Sequence, residues 1–243
     1  MGMSLLLSLV PVLFAEGGQP AAENRVELTT TDGVRLEARL ARPPQWKPDR
    51  GAVVLCHPHP LYGGSMDNAM VVRIARTLAA AGFATLRFNF RGVGESGGQY
   101  GGGEKEVADV LAAVERLSGE GVPESRLAIV GYSFGAAVGA AALHSLPATV
   151  AYAGVALPVD RTEIATRLRG LLEPGRPVLL VGAAQDEIAP PKGLLDLALA
   201  RGGLTHIVVV GNADHFFTGP EHRQAVCEAV VQFLRASWSG AQE

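Results

Sequence analysis

RLAIVGYSFGAAVGAAALH, residues 126–144, is the stretch whose reading decides this chain. Leu127–Val130 is a short apolar run of the kind found in strands buried on both faces. AAVGAAAL, residues 136–143, is a small-residue helix able to press closely on a sheet. Between them, Gly131-Tyr132-Ser133-Phe134-Gly135 reads as a sharp strand-to-helix turn. A serine hydroxyl is a poor nucleophile unless it is exposed beside a base. The turn supplies the exposure, and the helix N-terminus lies under any negative charge that develops. GVGESGG, residues 92–98, repeats the Gly-x-Ser-x-Gly spacing around Ser96. No helix follows it, only GGQYGGG, so Ser96 is expected to be a flexible loop hydroxyl outside the chemistry.

Working outward, strands and helices alternate. RVELTTTDGVRLEARLARPP (25–44) reads as a hairpin around Asp32-Gly33. GAVVLC, FATLRFNF, RLAIVG, ATVAYAGVA, VLLVG and LTHIVVVG read as strands, with helical periodicity between them and over EHRQAVCEAVVQFLRASW (221–238). Gly82 can stop the first helix, and Ser65, Asp67 or Asn68 can cap its start. RTEIATRLRGLLE (161–173) reads as one small helix, which leaves no room for a large lid. Such alternation forces a mostly parallel sheet with helices on both faces, here with an antiparallel N-terminal hairpin. Residues 1–22 are read as an apolar extension and 23–243 as a single domain.

The base belongs on a loop past a strand at the sheet edge that carries Ser133. His215, in VVVGNADHFF, meets that condition. His206 begins its strand at the opposite edge, His144 ends the helix after Ser133, and His222 opens the last helix and is expected to be solvated. The acid belongs after another strand, and VLLVGAAQD delivers Asp186. Asp160 is the rival, Glu187 is a weaker choice, and Asp214 reads as a loop-capping carboxylate. The chain order Ser133, Asp186, His215 is that of one class of serine hydrolase.

Two backbone amides are needed for the oxyanion. One is Phe134 N–H, and the other is assigned to His59 N–H in CHPHPLYGGSMDN (56–68), with Leu61 as runner-up. Leu61, Tyr62, Phe134, Ile188, Phe216 and Phe217 are the expected pocket walls. His57 and His59 are half a metal site at most, and no Cys/His cluster completes it, so both rings are expected to brace the loop and no metal is expected. FNFRGVGESGG lacks the Gly-Lys-Ser/Thr of a phosphate loop, and Arg91 there reads as an ion-pair anchor. Cys56 and Cys227 read as buried thiols.

Taken together, CHPHPLYGGSMDN, RFNFRGVGESGG, GYSFG, AAQDEIAP and NADHFF resemble the small bacterial α/β-hydrolases, the cap-less serine esterases related to dienelactone hydrolases. The resemblance runs from about residue 25 to 238. It implies the α/β-hydrolase fold, no cofactor, and Ser133, Asp186 and His215 as nucleophile, acid and base. It implies a carboxylesterase acting on short- to medium-chain acyl esters. A thioesterase or peptidase is the alternative, and a non-catalytic binding protein a third. Dienelactone hydrolase itself uses a cysteine where this chain has Ser133.

The composition, 48% hydrophobic and 19% charged, suggests neither disorder nor a fibre. With 21 basic and 24 acidic residues the formal net charge is -3, which advertises no nucleic-acid partner. Leu5–Phe14 is apolar but too short to span a bilayer as a helix. The expected location is cytoplasmic, with export or membrane association through that segment as the alternative. The final helix and the leading segment are candidate surfaces for a homo-oligomer.

Overall fold

Strand β3 (Ala52–Cys56, AVVLC) shows why the sheet lies where it does. Each of its side chains is buried, and they alternate between two cores: Val54 and Cys56 belong to one, Val53 and Leu55 to the other. Successive side chains on a strand point to opposite faces, so an uninterrupted apolar strand must be covered on both. The computed structural model describes residues 21–159, 168, 171, 173, 175–201 and 204–239. Residues 1–20 of the expected extension, Asp160, and most of the small helix expected over 161–173 lie outside the described residues.

The remaining strands are β1 (Glu23–Thr29), β2 (Arg35–Ala41), β4 (Ala84–Phe88), β5 (Leu127–Tyr132), β6 (Ala151–Val155), β7 (Val178–Ala183) and β8 (Thr205–Val210). They form an eight-stranded sheet in the order β1-β2-β4-β3-β5-β6-β7-β8. The hairpin β1–β2 pairs antiparallel, with Glu23 opposite Ala41, and β2 joins β4 antiparallel. From β4 to β8 every pairing is parallel. The parallel strands therefore end at one edge, and the loops that leave them gather there, the usual place for a site in such sheets.

Helices α2 (Glu106–Ser118) and α3 (Phe134–Ala142) share one core with Leu86, Phe88 and Ile129. Helices α1 (Ala69–Ala80) and α5 (Pro220–Ser239) cover the other face with Ile74, Leu78, Val230 and Leu234. Helix α4 (Pro191–Arg201) contributes Leu194 to the first core. Asn68 caps α1, its Oδ1 accepting from Met70 N–H at 3.0 Å. Cys56 and Cys227 are free and buried, as expected. Among the described residues no helix is long and apolar enough to cross a membrane.

Candidate active site

Ser133 sits between the last residue of β5 and the first of α3 with φ 53° and ψ -115°. A non-glycine residue held there stores roughly 1–3 kcal/mol of backbone strain and persists only if its surroundings enforce it. They do so through hydrogen bonds at both ends. Ser133 N–H donates to Val155 O at 2.8 Å, and Ser133 O accepts from Ala136 N–H at 2.9 Å. The flanking glycines serve close approach. A Cβ at Gly131 would lie 2.4 Å from Ala136 Cα, and one at Gly135 would lie 2.3 Å from Cys56 O. Backbone from α3 and β3 occupies the space that side chains would need, and the turn can be that sharp only with glycine at both positions.

The structure brings Ser133, His215 and Asp186 into one line. Ser133 Oγ lies 2.9 Å from His215 Nε2. His215 Nδ1 lies 2.8 Å from Asp186 Oδ2. The ladder between β7 and β8 continues past the strand ends: Ala184 N–H donates to Val210 O at 2.9 Å and Gln185 N–H to Ala213 O at 2.8 Å. That extension sets the Asp186 loop in register with the His215 loop. Asp186 Oδ1 also accepts from Ile188 N–H at 2.9 Å and Ala189 N–H at 2.7 Å, so the buried carboxylate cannot swing away. An ionised carboxylate only accepts, so the ring proton sits on Nδ1 and leaves Nε2 to accept from the serine hydroxyl.

Tyr132 contributes something its place in the motif gave no reason to expect. Its Oη donates to His215 O at 2.9 Å, and its ring stacks on the imidazole at 29°. Burial, with the charges of Asp186 and Asp214, pushes its phenol above the ordinary range, so it stays a neutral donor. Ser133 and His215 are thereby tied through adjacent residues of one strand end.

A cleft of about 550 Å³ opens over Ser133. Tyr62, Phe134, Ile188 and Phe216 line it as expected, joined by His59 and by Tyr100, Ala137, Val138 and Pro158, which sequence reasoning missed. Tyr100 is an aromatic residue inside a glycine run, GGQYGGG, and that isolation is the signal that could have found it. Two expected wall residues are corrected. Phe217 is fully buried in the core with Val226 and Val230, because its φ of 47° turns the chain inward after Phe216. Leu61 is 67% exposed and does not line the cleft.

The loop after β3 carries both candidates for the second amide, His59 and Leu61. Leu61 N–H donates to His59 Nδ1 at 3.2 Å, so it is already engaged and is a poor oxyanion donor. Phe134 N–H is the first amide of α3, where a helix has no internal acceptor to offer. His59 and Phe134 both line the cleft. His57 braces the loop from below: Nδ1–H donates to Pro58 O at 2.7 Å, and Nε2 accepts from Phe90 N–H at 3.0 Å. Burial lowers its pKa to about 4, so it is neutral.

The other expected residues fall as follows. Arg91 is buried against Asp109 at 2.7 Å and also pairs with Asp32 at 2.8 Å, which holds Asp32 below the usual carboxylate range. Asp214 caps its loop, accepting from Thr218 N–H at 3.0 Å. His144, His206 and Glu187 are exposed. His222 is partly buried rather than solvated. Ser96 is not a flexible loop hydroxyl: it is 8% exposed, donates to Asn89 O at 2.7 Å and accepts from Glu37 N–H at 3.0 Å. Among the described residues no three His, Cys, Asp or Glu side chains are grouped to hold a metal ion.

Comparison with known proteins places this geometry. The sequence model of the X-Pro dipeptidyl-peptidase (S15) family matches residues 32–187, from the hairpin turn through Asp186. The uncharacterized protein RP471 of Rickettsia prowazekii is 34% identical over 126 residues, 52% of this chain and 52% of its own length. The chain thus spans about half the length of that curated relative. An α/β serine hydrolase homologue from Coxiella burnetii superimposes with a TM-score of 0.73 at 30% identity, covering 84% of this chain and 96% of that one. A serine hydrolase without a lid from Xanthomonas campestris gives 0.73 at 25% identity, covering 93% and 97%. An esterase from Pyrococcus furiosus shares the fold, with a TM-score of 0.74 at 19% identity over 89% of this chain and 93% of its own. With most of its length matched, the chain belongs to the X-Pro dipeptidyl-peptidase (S15) family and has the α/β serine hydrolase fold.

Proposed function

We propose that this protein is a serine carboxylesterase that hydrolyses short- to medium-chain acyl esters through an acyl-enzyme. The observation that carries the reading is the unbroken hydrogen-bonded line from Ser133 Oγ through His215 to Asp186 at the base of a neutral, largely apolar cleft. His215 Nε2 takes the hydroxyl proton as Ser133 Oγ attacks the ester carbonyl. The carbonyl π electrons move to oxygen, and that charge meets Phe134 N–H and His59 N–H. One such donor is worth roughly 10²–10³ in turnover. Asp186 stabilises the imidazolium and holds its tautomer. The C–O bond to the alcohol then breaks, and His215 returns the proton to the departing oxygen. Water, deprotonated by His215, repeats the sequence on the acyl-serine and releases the acid. No cofactor takes part in these steps.

The family match favours a second reading, a peptidase acting on X-Pro amino termini. An incoming ammonium group would meet aromatic and aliphatic walls, since the described lining residues contribute no carboxylate. That lining suits a neutral acyl group better. The test is a panel of p-nitrophenyl acetate, butyrate and octanoate, an acyl-CoA, and an X-Pro p-nitroanilide, with Ser133→Ala as control. Ester turnover lost in Ser133→Ala, with little anilide cleavage, supports the esterase. An anilide cleaved as fast as the esters transfers the site to peptide chemistry, and turnover surviving in Ser133→Ala removes Ser133 as nucleophile.

A further inference from the structure

The walls of the cleft are not uniformly apolar. Three of them are rings gathered around a fourth, His59: Tyr62 at 4.8 Å, Phe134 at 4.8 Å and Tyr100 at 5.2 Å between centroids. The hub ring is fixed at both nitrogens, by Leu61 N–H on Nδ1 and by Tyr100 Oη 3.2 Å from Nε2. Phe90, in the core, buttresses Phe134 edge-on at 5.5 Å. Beside the rings, Gly102 and Gly103 line the same cleft with bare backbone. That backbone is pinned as well: the buried Glu106 carboxylate accepts from Gly101 N–H at 2.6 Å and Gly103 N–H at 2.7 Å. Held rings beside side-chain-free backbone make a slot suited to a flat group.

The reaction decides which end of a substrate enters it. His215 must reach the departing oxygen, so the alcohol lies toward the β7 and β8 loops, with Ile188 and Phe216. The rings come from the loops after β3 and β4 and from the start of α3, on the other side of Ser133. We propose that the His59–Tyr62–Tyr100–Phe134 cluster is an aryl-acyl subsite, and that the preferred substrates are esters of acids carrying an aromatic ring. This rests on the esterase reading of the same site and narrows its substrate class. Offset and edge-on ring contacts each add a preference beyond that of apolar area alone.

The test compares p-nitrophenyl 3-phenylpropanoate with p-nitrophenyl 3-cyclohexylpropanoate, which have matched leaving groups and carbonyls insulated from the ring. The wild type should favour the phenyl ester by about five- to tenfold in kcat/KM. Tyr100→Leu and Tyr62→Leu should each move that ratio toward one. Tyr62 is 86% exposed, so its replacement leaves the fold intact even if Tyr100→Leu does not fold. Equal rates for the two esters, both abolished in Ser133→Ala, overturn the aryl subsite and leave the esterase standing. An unchanged ratio in the tyrosine variants also overturns it. A ring preference found instead between 2-phenylethyl and 2-cyclohexylethyl acetate overturns the assignment to the acyl side. Hydrolysis of neither propanoate overturns both readings.

Discussion

Gly-x-Ser-x-Gly occurs twice in this chain, and the two serines have opposite fates. Around Ser133 neither glycine adopts a positive φ; both are there because other backbone comes within van der Waals reach. Around Ser96, Gly94 and Gly98 have φ of 57° and 75° and let a tight loop turn. The Ser133 backbone carries the strain, and its hydroxyl faces His215 Nε2. The Ser96 hydroxyl is spent on two backbone groups, Asn89 O and Glu37 N–H. One motif shapes a strained strand-to-helix turn and the other staples a hairpin to the β4 loop. His57 joins the two regions, since its carbonyl abuts Gly135 and its ring accepts from Phe90 N–H at the root of the Ser96 loop.

The largest effect that would sharpen this contrast is on turnover. Asp186→Asn keeps the shape but lets His215 take the wrong tautomer, and kcat on a p-nitrophenyl ester should fall by about 10⁴-fold with little change in KM. A loss below tenfold would separate Asp186 from the chemistry. Next in size is an effect of pH on the joint between the regions. Folded His57 titrates near pH 4, whereas an unperturbed imidazole titrates at 6.5. Between these values the unfolded chain binds more protons, so stability is complete above pH 6.5 and declines as pH falls toward 4. The decline attributable to His57 is on the order of 3 kcal/mol. Urea unfolding across that window should show a shallower pH slope in His57→Gln than in the wild type. Identical slopes would contradict the buried neutral ring. The smallest effect belongs to Ser96→Ala, which leaves two backbone groups unpaired and should cost about 1–3 kcal/mol of stability. Its kcat/KM per folded molecule should equal that of the wild type, and a drop of tenfold or more would break the contrast.

How far the sequence carries the argument differs from residue to residue. The parallel sheet was legible because AVVLC and LAIV are apolar without alternation, which only a doubly covered strand tolerates. The meeting of Ser133, Asp186 and His215 was legible because Ser133 and Asp186 follow such strands, while His215 follows the apolar run IVVV of β8, an edge strand only partly buried. Phe216 and Phe217 were not separable: both are apolar neighbours on one loop, and only the left-handed backbone at Phe217 sends it inward. Leu61 looked like wall and amide donor alike, until the short 3-10 turn Pro60–Tyr62 committed its N–H to His59. Ser96 looked mobile because glycines surround it; one partner, Asn89 O, is local, but the other, Glu37 N–H on β2, lies 59 positions away. Tyr132 was hidden because its partner is a backbone carbonyl, which leaves no mark in composition. Local pattern reports which face a residue takes; long-range backbone pairing does not show in it.

The most direct test is to label the native protein with a fluorophosphonate, which loses fluoride to an activated serine and leaves a stable phosphonate ester on it, and to map the adduct by peptide mass. The account predicts one stoichiometric adduct, on the peptide that carries Ser133. It should vanish in Ser133→Ala, slow sharply in Asp186→Asn and persist in Ser96→Ala. An adduct on Ser96, or an unlabelled Ser133 in folded protein, would contradict it.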